Sequence, residues 1–146
     1  MADALFDLES RTSPAPSSAI LAIQEWPSNA ALIADCARLG YLRPGWRTLD
    51  CTYGYGTFWQ HWRPDELIAT DLAQHKAPNG AVDFTAMPWP DRSFDAVVFD
   101  PPYKLNGNPS DTDGSDERYG VHVYTNWLDR MDLIRRGLTE CARVLG

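Results

Sequence analysis

Phe94-Asp95-Ala96-Val97-Val98-Phe99-Asp100-Pro101-Pro102-Tyr103 is the stretch that decides the fold class. Its unbroken centre, Val97-Val98-Phe99, is what a strand buried on both faces looks like, and such strands belong to parallel sheets covered by helices. It stops at Pro101-Pro102, which have no N–H for a ladder and fix φ. Upstream, a short run through Thr48 and Leu49 reads as a strand ending at Asp50, and Leu67 to Asp71 (LIATD) reads as a second. Ala81 to Asp83 follows the Pro78-Asn79-Gly80 turn as a candidate short strand. Between them fall helices. Ser28 N-caps one through AALIADCARL, stopped by Gly40, with Ala31, Leu32, Cys36 and Leu39 as its expected inner face. A second is expected through TFWQHW, closed by Pro64. Tyr124 to Leu145 is the last, with Leu128, Met131, Ile134, Leu138, Cys141 and Leu145 at three- and four-residue steps. Strands alternating with helices give an α/β fold with a mainly parallel sheet.

Outward from this frame, the 146 residues suffice for one domain and no more. The chain is 44% hydrophobic and 23% charged, with no apolar run able to cross a membrane. Thirteen Lys and Arg against 20 Asp and Glu leave a net charge of −7, which argues against a simple nucleic-acid-coating protein. An enzyme that touches nucleic acid through one patch remains compatible with it. Cys36, Cys51 and Cys141 form no CxxC pair and have no histidine at metal spacing, so they read as reduced thiols of a cytoplasmic protein and no metal site is expected. The start carries acidic residues and no apolar signal core. Residues 1–18, ending in SPAPSS, read as a flexible N-terminal arm, and residues 19–146 as the domain.

Four features end the predicted strands, at the edge where open α/β sheets bind ligands. Asp50-Cys51-Thr52-Tyr53-Gly54-Tyr55-Gly56 turns a strand sharply into a helix. Its glycines let backbone approach a ligand, the helix start offers N–H groups, and Asp50 can hold a cationic amino group. A tight strand–helix turn explains the same residues. Asp71 follows Asp50 by 21 residues, near the spacing of ~20 at which an acid takes a ribose in nucleotide-binding units. Its plain alternative is a loop or N-cap aspartate. Asp83-Phe84 offers an acceptor for an adenine amino group beside a ring to pack on it, or else a strand-end acid and a core phenylalanine. Asp100-Pro101-Pro102-Tyr103 carries the most specific chemistry. An exocyclic amine is a poor nucleophile because its lone pair is delocalised into the ring. A carboxylate and a carbonyl accepting both hydrogens would localise that pair toward an incoming methyl group. The prolines aim the Pro101 carbonyl, and Tyr103 gives the planar target a face. A proline-capped strand end accounts for the prolines but not for the Asp and Tyr around them.

Together these residues resemble the Rossmann-like S-adenosylmethionine-dependent methyltransferases, and among them the DNA amino-methyltransferases of the adenine-N6 and cytosine-N4 type. Asp50 to Gly56 is similar to the family's first cofactor motif, and Asp100 to Tyr103 matches its D-P-P-Y motif. The resemblance spans about residues 44–146. It implies S-adenosyl-L-methionine as cofactor, with Asp50, Thr52, Gly54 and Gly56 near the methionine moiety. Asp71 would hold the ribose, and Asp83 and Phe84 the adenine. Asp100, Pro101, Pro102 and Tyr103 would orient the target amine. It implies DNA as partner, with the base flipped from a duplex, and no membrane partner. RNA or a protein amide is the alternative acceptor, and a non-catalytic remnant or subunit the alternative role. The family's pattern also implies that ECARVLG leads into a further strand. The chain thus resembles the N-terminal part of such an enzyme, its later strands missing. The Phe94–Asp100 strand is then expected to be an open edge, completed by a C-terminal segment or a second chain. The −7 charge would describe mainly the cofactor-binding half. Of the polar stretch from Lys104 to Gly120, two basic residues against four acidic make no phosphate clamp. Tyr119 within it and His122 and Tyr124 beyond it are candidates for substrate contact. Trp59 and Trp62 are expected to pack on the sheet.

Overall fold

The computed structural model describes residues 25–101 and 127–146. It is an α/β structure: three short parallel strands with an α-helix in each described flank. Helix α1 is Asn29–Arg38, followed by β1 (Arg47–Asp50), β2 (Glu66–Ala69), β3 (Ala96–Val98) and helix α2 (Trp127–Val144). The spatial order is β2-β1-β3, so the first strand is central. Two isolated parallel bridges extend it, Asp71 with Ala81 outside β2 and Phe94 with Leu145 outside β3. The expected short strand at Ala81 is therefore one bridge. The expected open edge is partly closed at its start: Phe94 donates to the Val144 carbonyl at 3.0 Å and accepts from Gly146 at 2.9 Å.

The capping logic of α1 holds. Ser28 Oγ accepts from the Ala31 N–H at 3.2 Å. At the other end Gly40, at φ +84°, donates to the Ala37 carbonyl while Tyr41 donates to Cys36, a Schellman arrangement.

The sheet is covered on both faces, and the two-residue period of its strands sorts its side chains. Leu49, Ile68 and Val97 lie in one row, because Leu49 is in register with both others. They face a core shared with Phe84, Met87, Phe94 and, from α2, Leu133, Cys141 and Val144. Leu67, Ala69, Ala96 and Val98 face the opposite way, toward Ile33, Leu42 and Trp59. Each cluster removes about 1.5–3 kcal/mol worth of apolar surface from water per large side chain.

Three expectations change. On α1 the buried positions are Ala30, Ile33 and Asp35, with Cys36 and Ala37 alongside, rather than a stripe centred on Ala31, Leu32 and Leu39. After Gly56 there is a single 3₁₀ turn, Thr57–Trp59, and no α-helix. Gly56 enters it at φ +69°, and Pro64 leaves too few residues for a helix to propagate. On α2 the buried face is Leu133, Gly137, Cys141 and Val144. Leu128, Met131 and Leu138 point outward at 60%, 43% and 55% exposure. Gly137 explains the choice: a Cβ there would lie 2.7 Å from both the Phe84 and Phe99 rings, so the helix backbone itself rests on that aromatic pair.

Candidate functional site

The carboxyl ends of the three strands meet, and hydrogen bonds stitch them together. From β1, Asp50 leads into Cys51, whose N–H donates to the Val98 carbonyl at 3.3 Å. Thr52 Oγ1 accepts from the Asp100 N–H at 2.8 Å, tying the exit of β3 to the exit of β1. On the other side Tyr53 donates to the Thr70 carbonyl at 3.0 Å and Thr70 to the Asp50 carbonyl at 2.8 Å. The loop then turns through Gly54 (φ +58°) and Gly56 (φ +69°), backbone conformations that L side chains rarely adopt. A Cβ on Gly56 would also sit 2.5 Å from the Tyr53 hydroxyl oxygen.

Asp71 fixes this loop in place. Its Oδ2 accepts from the Gly54 N–H and its Oδ1 from the Ala73 N–H, both at 2.9 Å. An aspartate 17 residues downstream thus sets the position of the glycine turn. A carboxylate has about four acceptor sites, so two N–H bonds leave room for a ligand hydroxyl. Asp50 differs. It is 2% exposed, with Oδ2 accepting from the Trp59 indole N–H at 2.7 Å and Oδ1 from the Thr52 N–H at 3.0 Å. Both of its oxygens are thus engaged beneath the loop.

Electrostatics follow from this convergence. Burial pushes the Asp50 carboxyl up to about 6. The Trp59 and Thr52 donors pull the other way, and the charges of Asp71 and Asp100 add to the rise. Asp100 is exposed as a residue, yet partial desolvation of its carboxyl raises its pKa as well. The neighbouring Cys141 thiol, together with burial, pushes the Cys51 thiol well up, and Cys51 Sγ donates to the Val98 carbonyl at 3.6 Å.

The remaining predicted residues divide. Asp83 is exposed, and its Oδ1 accepts from both the Thr85 N–H and hydroxyl at 2.8 Å, a local turn. Phe84 is 8% exposed and packs edge-to-face on Phe99 at 5.1 Å, so its ring belongs to the core. Pro101 is half-buried at the exit of β3. Pro102 and Tyr103 lie outside the described residues, as do the arm 1–18, the Lys104–Gly120 stretch, Tyr119, His122 and Tyr124. The structure therefore gathers Asp50, Thr52, Gly54, Gly56, Asp71, Asp100 and Pro101 at one edge.

Sequence reasoning placed Trp59 on the sheet but missed its bond to Asp50. The signal was available, because a buried indole N–H needs an acceptor. Thr70 carried no local signal, and neither did Arg143, whose guanidinium donates to the Met87 and Trp89 carbonyls at 3.0 and 2.8 Å. Beside the glycine turn lies an open cavity of about 320 Å³, lined by Tyr53, Gly54, Tyr55, Gln74, His75 and Lys76 among others. The Lys76 ammonium sits 5.0 Å above the Tyr55 ring there. No helix among the described residues is long and apolar enough to cross a membrane. Compared with protein families, with curated proteins and with solved structures, the chain finds no match.

Proposed function

We propose that this chain is the cofactor-binding and catalytic-motif part of a Rossmann-like, S-adenosylmethionine-dependent methyltransferase. Its acceptor is the exocyclic amino group of adenine (N6) or cytosine (N4) in DNA. The observation that carries the reading is the convergence of three motifs, distant in sequence, at the carboxyl ends of parallel strands. Asp71 holds the Gly54 turn and Thr52 holds Asp100, so cofactor and catalytic motifs are joined by two hydrogen bonds. Strand order supports it too. From Ala81 through β2, β1 and β3 to Leu145, every neighbour is parallel and β1 is central, as in doubly wound sheets.

The residues fit the methionine and ribose portions of the cofactor. Left-handed Gly54 gives a side-chain-free backbone at the cavity, and the carboxylates at this edge suit a cationic ligand. Asp71 keeps acceptor capacity for a ribose hydroxyl. The adenine portion fits Phe84 poorly, since that ring is buried; Tyr53 and Tyr55 are the rings that line the cavity. S-adenosylmethionine, when bound, supplies an electrophilic sulfonium methyl. This chain's residues do the positioning. The Asp100 carboxylate and the Pro101 carbonyl accept the two amino hydrogens, which draws the nitrogen lone pair out of conjugation with the ring and localises it on nitrogen. Thr52 keeps the Asp100–Pro101 turn at its distance from the glycine loop. By the family resemblance, Tyr103 offers the base a stacking face. Orientation and fixed dipoles supply most of the rate in such a transfer.

Calorimetric titration of S-adenosylmethionine into the folded chain tests the first half. Binding is expected, weakened by Asp71→Ala, and no binding to the folded protein overturns the proposal. Transfer of radiolabelled methyl groups to DNA, RNA and protein pools tests the second. Label in DNA, reduced roughly 100-fold or more by Asp100→Ala with cofactor binding retained, is the expected result. Label only in RNA or protein rejects DNA as the acceptor.

A further inference from the structure

Helix α2 is apolar on two faces, and only one of them is used by the sheet. The other carries Leu128, Met131 and Leu138, 60%, 43% and 55% exposed, with Ile134 half-buried between them. With Asp132 and Arg135 they line a shallow groove of about 450 Å³. Steps of three, three and four residues keep these side chains on one narrow seam, the width that a second helix covers. A contiguous apolar seam of this kind is uncommon on a monomer's surface.

We propose that this seam is a dimer interface, occupied by the same helix of a second copy of the chain running antiparallel. The charges on α2 select that occupant. Flanking the seam, the acid Asp132 comes first and the cation Arg135 follows, and both line the groove. A two-fold axis level with Leu133 sets Leu128 opposite Leu138 of the second copy, and places Asp132 within one residue of its Arg135. Acid then meets base on both sides of the axis, as an isologous contact requires. A parallel pair would stack like charge on like charge, and its helix dipoles would also be aligned. Within one helix Asp132 already bridges Arg135 and Arg136, the latter at 3.2 Å, with all three side chains at least half-exposed. Such pairs are weak in water, and an antiparallel partner brings a second opposite charge to each. The seam shares no residue with the candidate site, so the inference stands apart from the proposed function.

Sedimentation equilibrium of the full chain tests it. The expected mass is that of a dimer, and Leu138→Glu is expected to weaken association roughly 30-fold or more with the helical circular dichroism retained. A charge exchange keeps the test independent of that variant's folding. Asp132→Arg alone and Arg135→Asp alone each place like charges across the axis and are expected to be monomers. Mixed together they restore both opposite pairs and are expected to form a one-to-one dimer. A wild-type monomer at millimolar concentration overturns the proposal. So does a dimer that Leu138→Glu leaves intact, or two exchanged variants that do not associate when mixed.

Discussion

The two ends of the sheet are built on opposite principles. At the amino ends, charge is matched by charge. Arg47 Nε donates to Glu66 at 2.7 Å, its Nη1 to the Ser93 carbonyl at 2.9 Å, and its guanidinium lies 4.7 Å over the Phe94 ring. The Arg47 backbone N–H is taken by Asp95 at 2.8 Å. At the carboxyl ends, Asp50 and Asp71 accept from backbone N–H groups and one indole, and with Asp100 they raise the cost of the buried charge. One end spends its polar groups on closing the fold. The other keeps carboxylates together against their mutual repulsion, which is the arrangement expected where a ligand contributes the missing positive charge.

The strongest way to break this contrast is pH. Burial pushes the Asp50 carboxyl up from its ordinary 3.8 to about 6, so the protonated form is favoured by folding. Its contribution is full below about pH 4 and is lost as pH rises through about 6, an effect of about 3 kcal/mol. Asp100 is shifted in the same direction. Glu140, lowered by Arg143, works the other way and favours the fold above its own acid range. Urea denaturation is therefore expected to show maximum stability near pH 5 and a decline toward pH 7. A flat profile across that window would remove the electrostatic cost assigned to the carboxyl ends.

Next in size is Gly137→Ala. Alanine is the better helix former by about 1 kcal/mol, yet its Cβ meets Phe84 and Phe99 at 2.7 Å, under the same end of the sheet. Overpacking is expected to win, with a net loss of about 2 kcal/mol in thermal or chemical unfolding. A stabilised variant would mean that α2 has room to rise off the rings. The smallest effect belongs to the amino ends. Glu66→Gln breaks the Arg47 pair, whose side chains are 38% and 55% exposed, and is expected to cost about 0.5 kcal/mol or less. A larger loss would give the two ends equal weight.

The sequence made one half of this comparison legible. Strand ends are marked by local signals, namely the glycine turn, the double proline and the 21-residue step from Asp50 to Asp71, and parallel topology brings those ends together without further information. The Ser28 cap and the Gly40 stop are equally local. What was hidden depends on partners far along the chain. Arg143 donates to the carbonyls of Met87 and Trp89, 56 and 54 residues away, and pairs with Asp91 and Glu140, fastening the proline-rich 87–91 segment to α2. Nothing near Arg143 announces that. The inner face of α2 was misread for a related reason. Its buried side carries Arg130 and Gly137, so the outer stripe of leucine, methionine and isoleucine looks the more hydrophobic. Hydrophobic periodicity ranks faces by composition and does not register that a backbone can pack on two rings. The local rule also overstated the element after Gly56, where one 3₁₀ turn replaces a helix.

The place of Leu49 in the middle of the sheet sets a timetable for folding. It is wholly buried, under a lid that includes Val144, 95 residues further along. At ~5–20 residues per second, synthesis leaves that apolar face without its covering helix for roughly 5–20 s. Strand β1 pairs early with β2 but must wait for β3, whose partner residues lie 48 positions downstream. Until β3 and α2 have emerged, the β1 edge and its apolar face lack the residues that cover them in the fold, the combination that favours chaperone binding or aggregation.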